Sequence, residues 1–253
     1  MRVKLAALAL CLATFAGAPA HAAGDVLHPK SVDWPHAGLF GTFDHGALQR
    51  GYLVYKQVCA ACHALNLVAY RSLAEIGFSE AQVKALAADN EVQDGPNDQG
   101  EMFARPARPS DRFRSPFTNE RAARAANNGA LPPDLSLMIK ARAGGGDYVY
   151  SLLTGYQDPP AAVKLTTGMN YNPYFAGRQI AMVPPLNEGA VEFADGTKAS
   201  VEQMAKDVTS FLAWAAEPEL EIRKRMGVKV ILFLLVLTAL FYAVKRKVWA
   251  DLH

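Results

Sequence analysis

Cys59-Ala60-Ala61-Cys62-His63 places two thiols three positions apart with a histidine directly after them. That is the pattern for attaching a c-type haem: both sulfurs form thioethers to the porphyrin, and the imidazole reaches the iron from one side. A zinc centre would need four ligands, and no second cysteine pair exists. A redox disulfide of the thioredoxin kind should lie beside a strand-helix-strand pattern, whereas helical periodicity surrounds this motif. From Gly46 to Cys62 the residues Leu48, Tyr52, Tyr55, Val58 and Cys62 recur at spacings of three and four, which predicts a helix closed by the motif. One covalently attached haem c is expected, with Cys59 and Cys62 as its anchors and His63 as an iron ligand.

The third cysteine, Cys11, falls in a leader. Arg2 and Lys4 precede an apolar run from Leu5 to Ala16, and small residues follow to Ala20-His21-Ala22. Residues 1–22 therefore form a cleaved secretory signal peptide. A lipid attachment at Cys11 would want a small residue before it, and Leu10 is bulky. Near the other end, Val228 to Val244 carries only one charge, Lys229, and Val230 to Val244 has neither Gly nor Pro. Seventeen helical residues span ~25 Å, close to the ~30 Å hydrocarbon core of a bilayer. Arg223, Lys224 and Arg225 on one side and Lys245, Arg246 and Lys247 on the other bracket the segment, with Tyr242 and Trp249 suited to the interface. A transmembrane helix over 226–245 follows, with an exported haem domain over 23–221 and a cytoplasmic tail over 246–253. The signal peptide sets this orientation, because the basic flanks are nearly balanced.

The formal charge of +2 conceals an asymmetry. Residues 23–221 hold 17 Lys plus Arg against 23 Asp plus Glu, a net of −6, so the basic excess lies in the leader and the anchor. An acidic exported domain argues against nucleic acid and for a basic or weakly charged partner steered by long-range attraction. Asp89, Glu91, Asp94, Asp98 and Glu101 fall in a stretch with no base between Lys84 and Arg105, and Gly95-Pro96-Asn97 marks it as loop. It is either a docking patch or a solvated surface.

Short helices joined by loops are predicted for the rest, with Glu80 to Ala88 as one helix and turn signals crowding Asn127 to Tyr174. Ser200 and Gln203 suggest a capping box, followed by the apolar face Val201, Met204, Val208, Phe211, Leu212 and Ala215 up to Pro218. An electron carrier with six-coordinate iron needs a second axial ligand, for which a thioether raises the potential. Met138 and Met204 sit at apolar helical positions, Met102 is beside the acidic stretch, and His28, His36 and His45 precede the motif helix. Met182 stands in Ile180-Ala181-Met182-Val183-Pro184-Pro185, stiffened by two prolines. Spacing leaves Met182 and Met169 as rivals.

Longer motifs carry a resemblance. Arg50-Gly51-Tyr52 with Val54-Tyr55-Lys56-Gln57-Val58-Cys59, Ala126-Asn127-Asn128-Gly129-Ala130-Leu131-Pro132-Pro133-Asp134-Leu135-Ser136 and Asp147-Tyr148-Val149-Tyr150-Ser151-Leu152-Leu153-Thr154-Gly155-Tyr156 resemble the cytochrome c1 family of the cytochrome bc1 complex. Tyr171-Asn172-Pro173-Tyr174-Phe175 and Trp214-Ala215-Ala216-Glu217-Pro218-Glu219 do so too, and the likeness runs from about Trp34 to the anchor.

The resemblance implies a mostly α fold: a class I cytochrome c-like haem domain with extended loops, plus one C-terminal transmembrane helix. It implies Met182 as the sixth ligand, Arg142 near a haem propionate, and Asn127, Pro133 and Phe175 in the pocket. The exported domain departs from some bacterial relatives in having no cysteine beyond the haem pair, so the resemblance implies a loop near Gln157 held without a disulfide.

The function so implied is electron transfer within quinol-cytochrome c oxidoreductase, the chain being a subunit and not an enzyme on its own. It takes electrons from the Rieske iron-sulfur protein and passes them to a periplasmic cytochrome c, beside cytochrome b in a dimeric complex of the bacterial inner membrane. Two other functions stay open on the motif alone: a tethered cytochrome serving a terminal oxidase, and a haem-based sensor with an open iron position.

Overall fold

The computed structural model describes residues 27–250. The leader, Cys11 and the last three residues of the tail lie outside them. Helix α1, His45–Gln57, begins where Asp44 accepts hydrogen bonds from the Gly46 and Ala47 amides at 2.9 and 3.2 Å, satisfying two of the orphan donors of a first turn. It buries Leu48, Tyr52, Val54 and Tyr55. Their chief partner is α6, Val201–Ala216, which buries Met204, Ala205, Val208, Phe211 and Leu212. Full burial of such side chains stabilises by ~1.5–3 kcal/mol each. The two helices approach closely at Gly51, where an added Cβ would stand 2.1 Å from the Asp207 carbonyl oxygen. Arg50 clamps the crossing, with Nε 2.8 Å and Nη2 3.2 Å from the two carboxylate oxygens of Asp207, and Nη1 2.7 Å from Asp195. Around it Tyr52 and Tyr55 meet Phe113 and Phe211 edge-on or tilted, and Tyr70 stacks on Phe113 at 4.6 Å.

The predicted motif helix is shorter than its periodicity suggests. α1 stops at Gln57, and Cys59–Ala61 form a 3-10 turn. The Val58–Cys62 spacing of four carries the helical pattern straight across the 3-10 turn, so periodicity could not mark the change. A second 3-10 helix, Tyr70–Ile76, ends at Gly77 in the left-handed region, and α2, Glu80–Ala88, follows. The complete capping box belongs to α2: Ser79 Oγ accepts from the Gln82 amide at 3.3 Å, and the Ser79 amide donates to Gln82 Oε1 at 2.8 Å. At α6 only half of the expected box forms, because Ser200 accepts from the Gln203 amide while the Gln203 side chain donates to Asp207 at 2.9 Å.

The acidic stretch is not simply loop. Glu91–Asp94 (β1) and Phe103–Pro106 (β2) pair antiparallel, Glu91 opposite Pro106. Short helices α3 (Glu120–Ala126), α4 (Met138–Ala141) and α5 (Gly145–Leu153) come next, then the minimal pair β3 (Asn170–Tyr171) and β4 (Gln179–Ile180). The mostly α class with extended loops is what the described residues adopt.

α7, Leu220–Val248, is long and apolar enough to cross a membrane, and the apolar window that qualifies it is unburied. Its first turns are tied to the domain. Phe43 donates its amide to Glu221 at 2.9 Å, Lys140 lies 3.2 Å from Glu217, and Glu217 also pairs with Arg223.

Candidate haem-binding site

The 3-10 turn carries the motif. Its Cys62 and His63 amides both donate to the Cys59 carbonyl, at 3.1 and 2.9 Å. Cys59 is half-buried and Cys62 exposed, so one thiol lies against the protein while the other faces outward. Burial, followed by the neighbouring Cys62, pushes the Cys59 thiol up to about 12.

His63 Nδ1 lies 2.8 Å from the carbonyl oxygen of Pro133. A carbonyl can only accept, so Nδ1 carries the hydrogen and Nε2 keeps its lone pair for another partner. Burial holds the imidazole below its ordinary titration range, outweighing Pro133 and Asp134, which act upward. A neutral ring with one nitrogen oriented by a carbonyl is the usual state of a histidine ligand.

The segment supplying that carbonyl is fastened alongside the motif. The Leu135 amide donates to Ala64 at 2.9 Å, the Asn66 amide to Asp134 at 2.9 Å, and the Leu67 amide to fully buried Ser136 at 3.0 Å. Beside it Leu67 and Leu131 remain exposed, at 57% and 36%. Two thiols, a lone pair on a neutral imidazole and open apolar surface next to them make a donor set that fits a covalently held porphyrin.

Met182 directly follows β4 and the half-buried Ala181. Its backbone carbonyl accepts from Tyr156 Oη at 3.1 Å and from Asn170 Nδ2 at 3.3 Å. The β3–β4 pair thus supports a half-buried thioether, with Asn172, fully buried, donating to Leu152 at 2.8 Å to tie the preceding segment to α5. Of the rivals, Met204 is fully buried in α6, Met138 packs against the core, Met102 is largely exposed, and Met169 is half-buried at a turn closed on Thr166. His36 lies tilted against Phe43, with ring centroids 4.9 Å apart, and burial and then Lys224 lower its proton affinity.

The structure brings His63 and Pro133 into contact; the other expected pocket residues have partners of their own. Asn127 caps α3 by donating to Ala123 at 2.7 Å. Arg142 is exposed and donates to the Ala141 carbonyl at 3.2 Å. Phe175 is half-buried and closes the turn between Asn172 and Arg178 through its backbone. Tyr156, Asn170 and Ser136 were not singled out from sequence, and each acts on a backbone group distant along the chain.

Residues 34–252 match the model of the cytochrome C1 family. The chain is 55% identical to "Cytochrome c1-2, heme protein, mitochondrial" of Solanum tuberosum, covering 89% of this chain and 87% of that protein. It is 51% identical to "Cytochrome b-c1 complex catalytic subunit, mitochondrial" of Candida albicans, covering 89% and 79%. With "Cytochrome b/c1" of Bradyrhizobium diazoefficiens it shares 49% identity over 98% of its own length, and it spans 39% of that longer protein.

Proposed function

The chain belongs to the cytochrome c1 family, the haem electron-transfer subunits of the bc1 complex, and from that membership we propose that its exported domain takes electrons from a Rieske iron-sulfur protein and passes them to a periplasmic cytochrome c. Cytochrome b is the neighbour that complex membership implies. The complex is an oxidoreductase; this chain makes and breaks no substrate bond.

When bound, haem c supplies a one-electron iron couple. Cys59 and Cys62 hold it covalently, and His63 offers Nε2 because Pro133 occupies Nδ1. Met182 offers sulfur from a segment whose carbonyl two donors hold in place. Asn127, Pro133, Arg142 and Phe175 border the pocket. Apolar residues around the cofactor exclude water, which raises the potential together with the thioether. The observation that carries this reading is the His63 imidazole, kept neutral and aimed by a backbone carbonyl one residue type would not reveal.

The rest of the topology follows from the same reading: leader 1–22 removed, domain 23–221 in the periplasm, span 226–245 in a bacterial inner membrane, tail 246–253 in the cytoplasm, and a dimeric complex around it.

Purification from membranes tests the whole. Expected are a mature chain lacking residues 1–22 and carrying one haem adduct by intact mass, and companion subunits that include cytochrome b. Met182→Leu should lower the midpoint potential and abolish the weak red charge-transfer band of sulfur-ligated ferric haem. An unchanged band would transfer the ligand to Met169. Tight carbon monoxide uptake by the reduced protein at neutral pH would favour the sensor, and copurification with a terminal oxidase alone would favour the tethered carrier.

A further inference from the structure

Residues 63–67 and 133–136 are zipped together through unlike pairs. His63 Nδ1 meets the Pro133 carbonyl at 2.8 Å, and the Leu135 amide donates to Ala64 at 2.9 Å. The Asn66 amide donates to Asp134 Oδ2 at 2.9 Å and the Leu67 amide to Ser136 Oγ at 3.0 Å. Arg112 Nη1 donates to the Asn66 and Leu67 carbonyls at 3.1 and 2.8 Å, so a third segment also holds the 66–67 backbone.

Within this zipper Asp134 is exposed, yet both of its carboxylate oxygens are taken up by backbone amides. Oδ2 accepts from Asn66, and Oδ1 accepts from Ser136 at 2.7 Å. The bond to Ser136 closes an Asx turn, and the bond to Asn66 ties that turn to the haem motif. The Pro133 carbonyl that orients His63 belongs to the peptide immediately before Asp134. A fixed charge accompanies the geometry: after burial and Pro133, Asp134 acts on the His63 ring and raises its proton affinity. Turn and charge act on one quantity, the electron density that Nε2 offers. A carbonyl held firmly against Nδ1–H makes the ring a better donor, and a nearby negative charge does the same. Ferric iron gains more from either than ferrous iron does. Ser136, fully buried, holds the same segment but carries no charge.

We infer that Asp134 is a positioning residue for electron transfer: its carboxylate fixes the Pro133 carbonyl against His63 and, acting through the imidazole, holds the haem potential below the value that burial and the Met182 sulfur would set by themselves. This rests on the reading of His63 as an iron ligand, which the experiment reports separately. It gives the chain a lever opposed to the thioether, so that the potential is set between two named side chains on opposite faces of the cofactor.

Redox titration of the full haem-bearing chain, purified from membranes, tests this on Asp134→Asn, Asp134→Glu and Ser136→Ala, with intact mass and thermal melts alongside. Asp134→Asn keeps the side chain's shape, removes the charge and leaves one of the two amides facing an NH2 that cannot accept. At the parent's midpoint its ferrous-to-ferric ratio should rise roughly three- to tenfold, a midpoint ~30–60 mV higher. That shift should shrink as salt is added, because the carboxylate is exposed. Asp134→Glu keeps the charge and should stay within about twofold of the parent. Ser136→Ala strands the Leu67 amide, so it should melt lower while its ratio also stays within about twofold. Asp134→Ser, an uncharged acceptor, replaces the Asn variant if that one does not accumulate, and its shift has the same sign. A structural role alone predicts otherwise, since loosening that admits water lowers the potential. A midpoint unchanged or lowered on loss of the charge, or raised as much in Ser136→Ala, overturns the inference. Haem mass and the red charge-transfer band retained in every variant leave the ligand reading standing in either case; their absence from the parent sinks both.

Discussion

The carbonyl oxygen of Met182 accepts two hydrogen bonds, from Tyr156 and Asn170, and this is the most local control over where the thioether goes. Removing the Tyr156 hydroxyl takes away one neutral hydrogen bond, worth ~0.5–1.5 kcal/mol. If Met182 is the sixth ligand, Tyr156→Phe should shift the balance between sulfur-bound and sulfur-free iron by roughly two- to tenfold toward loss. The red charge-transfer band would then bleach at lower temperature than in the parent, while the covalent haem mass stays the same. A band of unaltered thermal stability would remove Tyr156 from any positioning role. The sequence made Cys59, Cys62 and His63 legible because covalent and metal chemistry demand particular residue types at fixed spacing. Tyr156 and Asn170 were illegible for the opposite reason: they hold a backbone carbonyl, which every residue has, 26 and 12 positions away.

Among the elements, the α1–α6 crossing and the β1–β2 hairpin make contrasting predictions. At the crossing, Asp207 is 1% exposed and is held bidentately by Arg50, itself 18% exposed. Arg50→Met would strand a buried carboxylate. Stranding a buried charge costs ~3–5 kcal/mol, and the water that reaches Arg50 sets it near the lower bound. Thermal unfolding of the holo-protein should then fall by about 6–12 °C, with Arg50→Met plus Asp207→Leu recovering most of the loss. A drop just as large in the double variant would show that the pair was not the cause. The hairpin depends on acidity instead. Arg105 pairs with Asp94 and lies 2.6 Å from Asp111, and its bond to Asp111, followed by the Arg108 amide, holds Asp111 at about 2, well under its ordinary 3.8. A carboxylate depressed on folding stabilises at pH above its unfolded value and loses that contribution as pH falls through the folded one. Pepsin cleavage within 91–106 should therefore rise steeply between pH 4 and pH 2, and Arg105→Gln should already show it at pH 4; cleavage independent of pH across that window would deny the ion pairs any role. Helix α6 was readable because its apolar face runs on over sixteen residues. The hairpin was not, since Glu91-Val92-Gln93-Asp94 and Phe103-Ala104-Arg105-Pro106 carry charge and proline where a strand signal needs alternation.

Over the whole molecule, charge is separated by depth: the 23–221 stretch is net −6, and both flanks of the anchor are basic. That arrangement keeps the basic surface against the membrane and leaves the acidic one for whatever arrives from solution. Yet folding redistributes the acidic stretch that the sequence presents as one cluster. Asp94 is answered by Arg105 and Asp89 by Lys56 at 2.8 Å, whereas Asp98 and Glu101 lie exposed at the hairpin tip. Pairing across the fold decides which of these charges acts at a distance, and no count along the chain could show it. A basic acceptor should accordingly feel Asp98 and Glu101 more than Asp94. With a basic soluble cytochrome c as acceptor, Asp98→Asn plus Glu101→Gln should slow reduction severalfold at low salt and flatten its ionic-strength dependence, because the Debye length of ~30 Å at 0.01 M shrinks to ~10 Å at 0.1 M. Asp94→Asn should leave the salt dependence nearly intact and loosen the hairpin instead. Stopped-flow traces over a salt series separate the two. If both variants track the parent at every ionic strength, the hairpin tip is solvated surface, and the acceptor docks through apolar contact near the exposed Cys62.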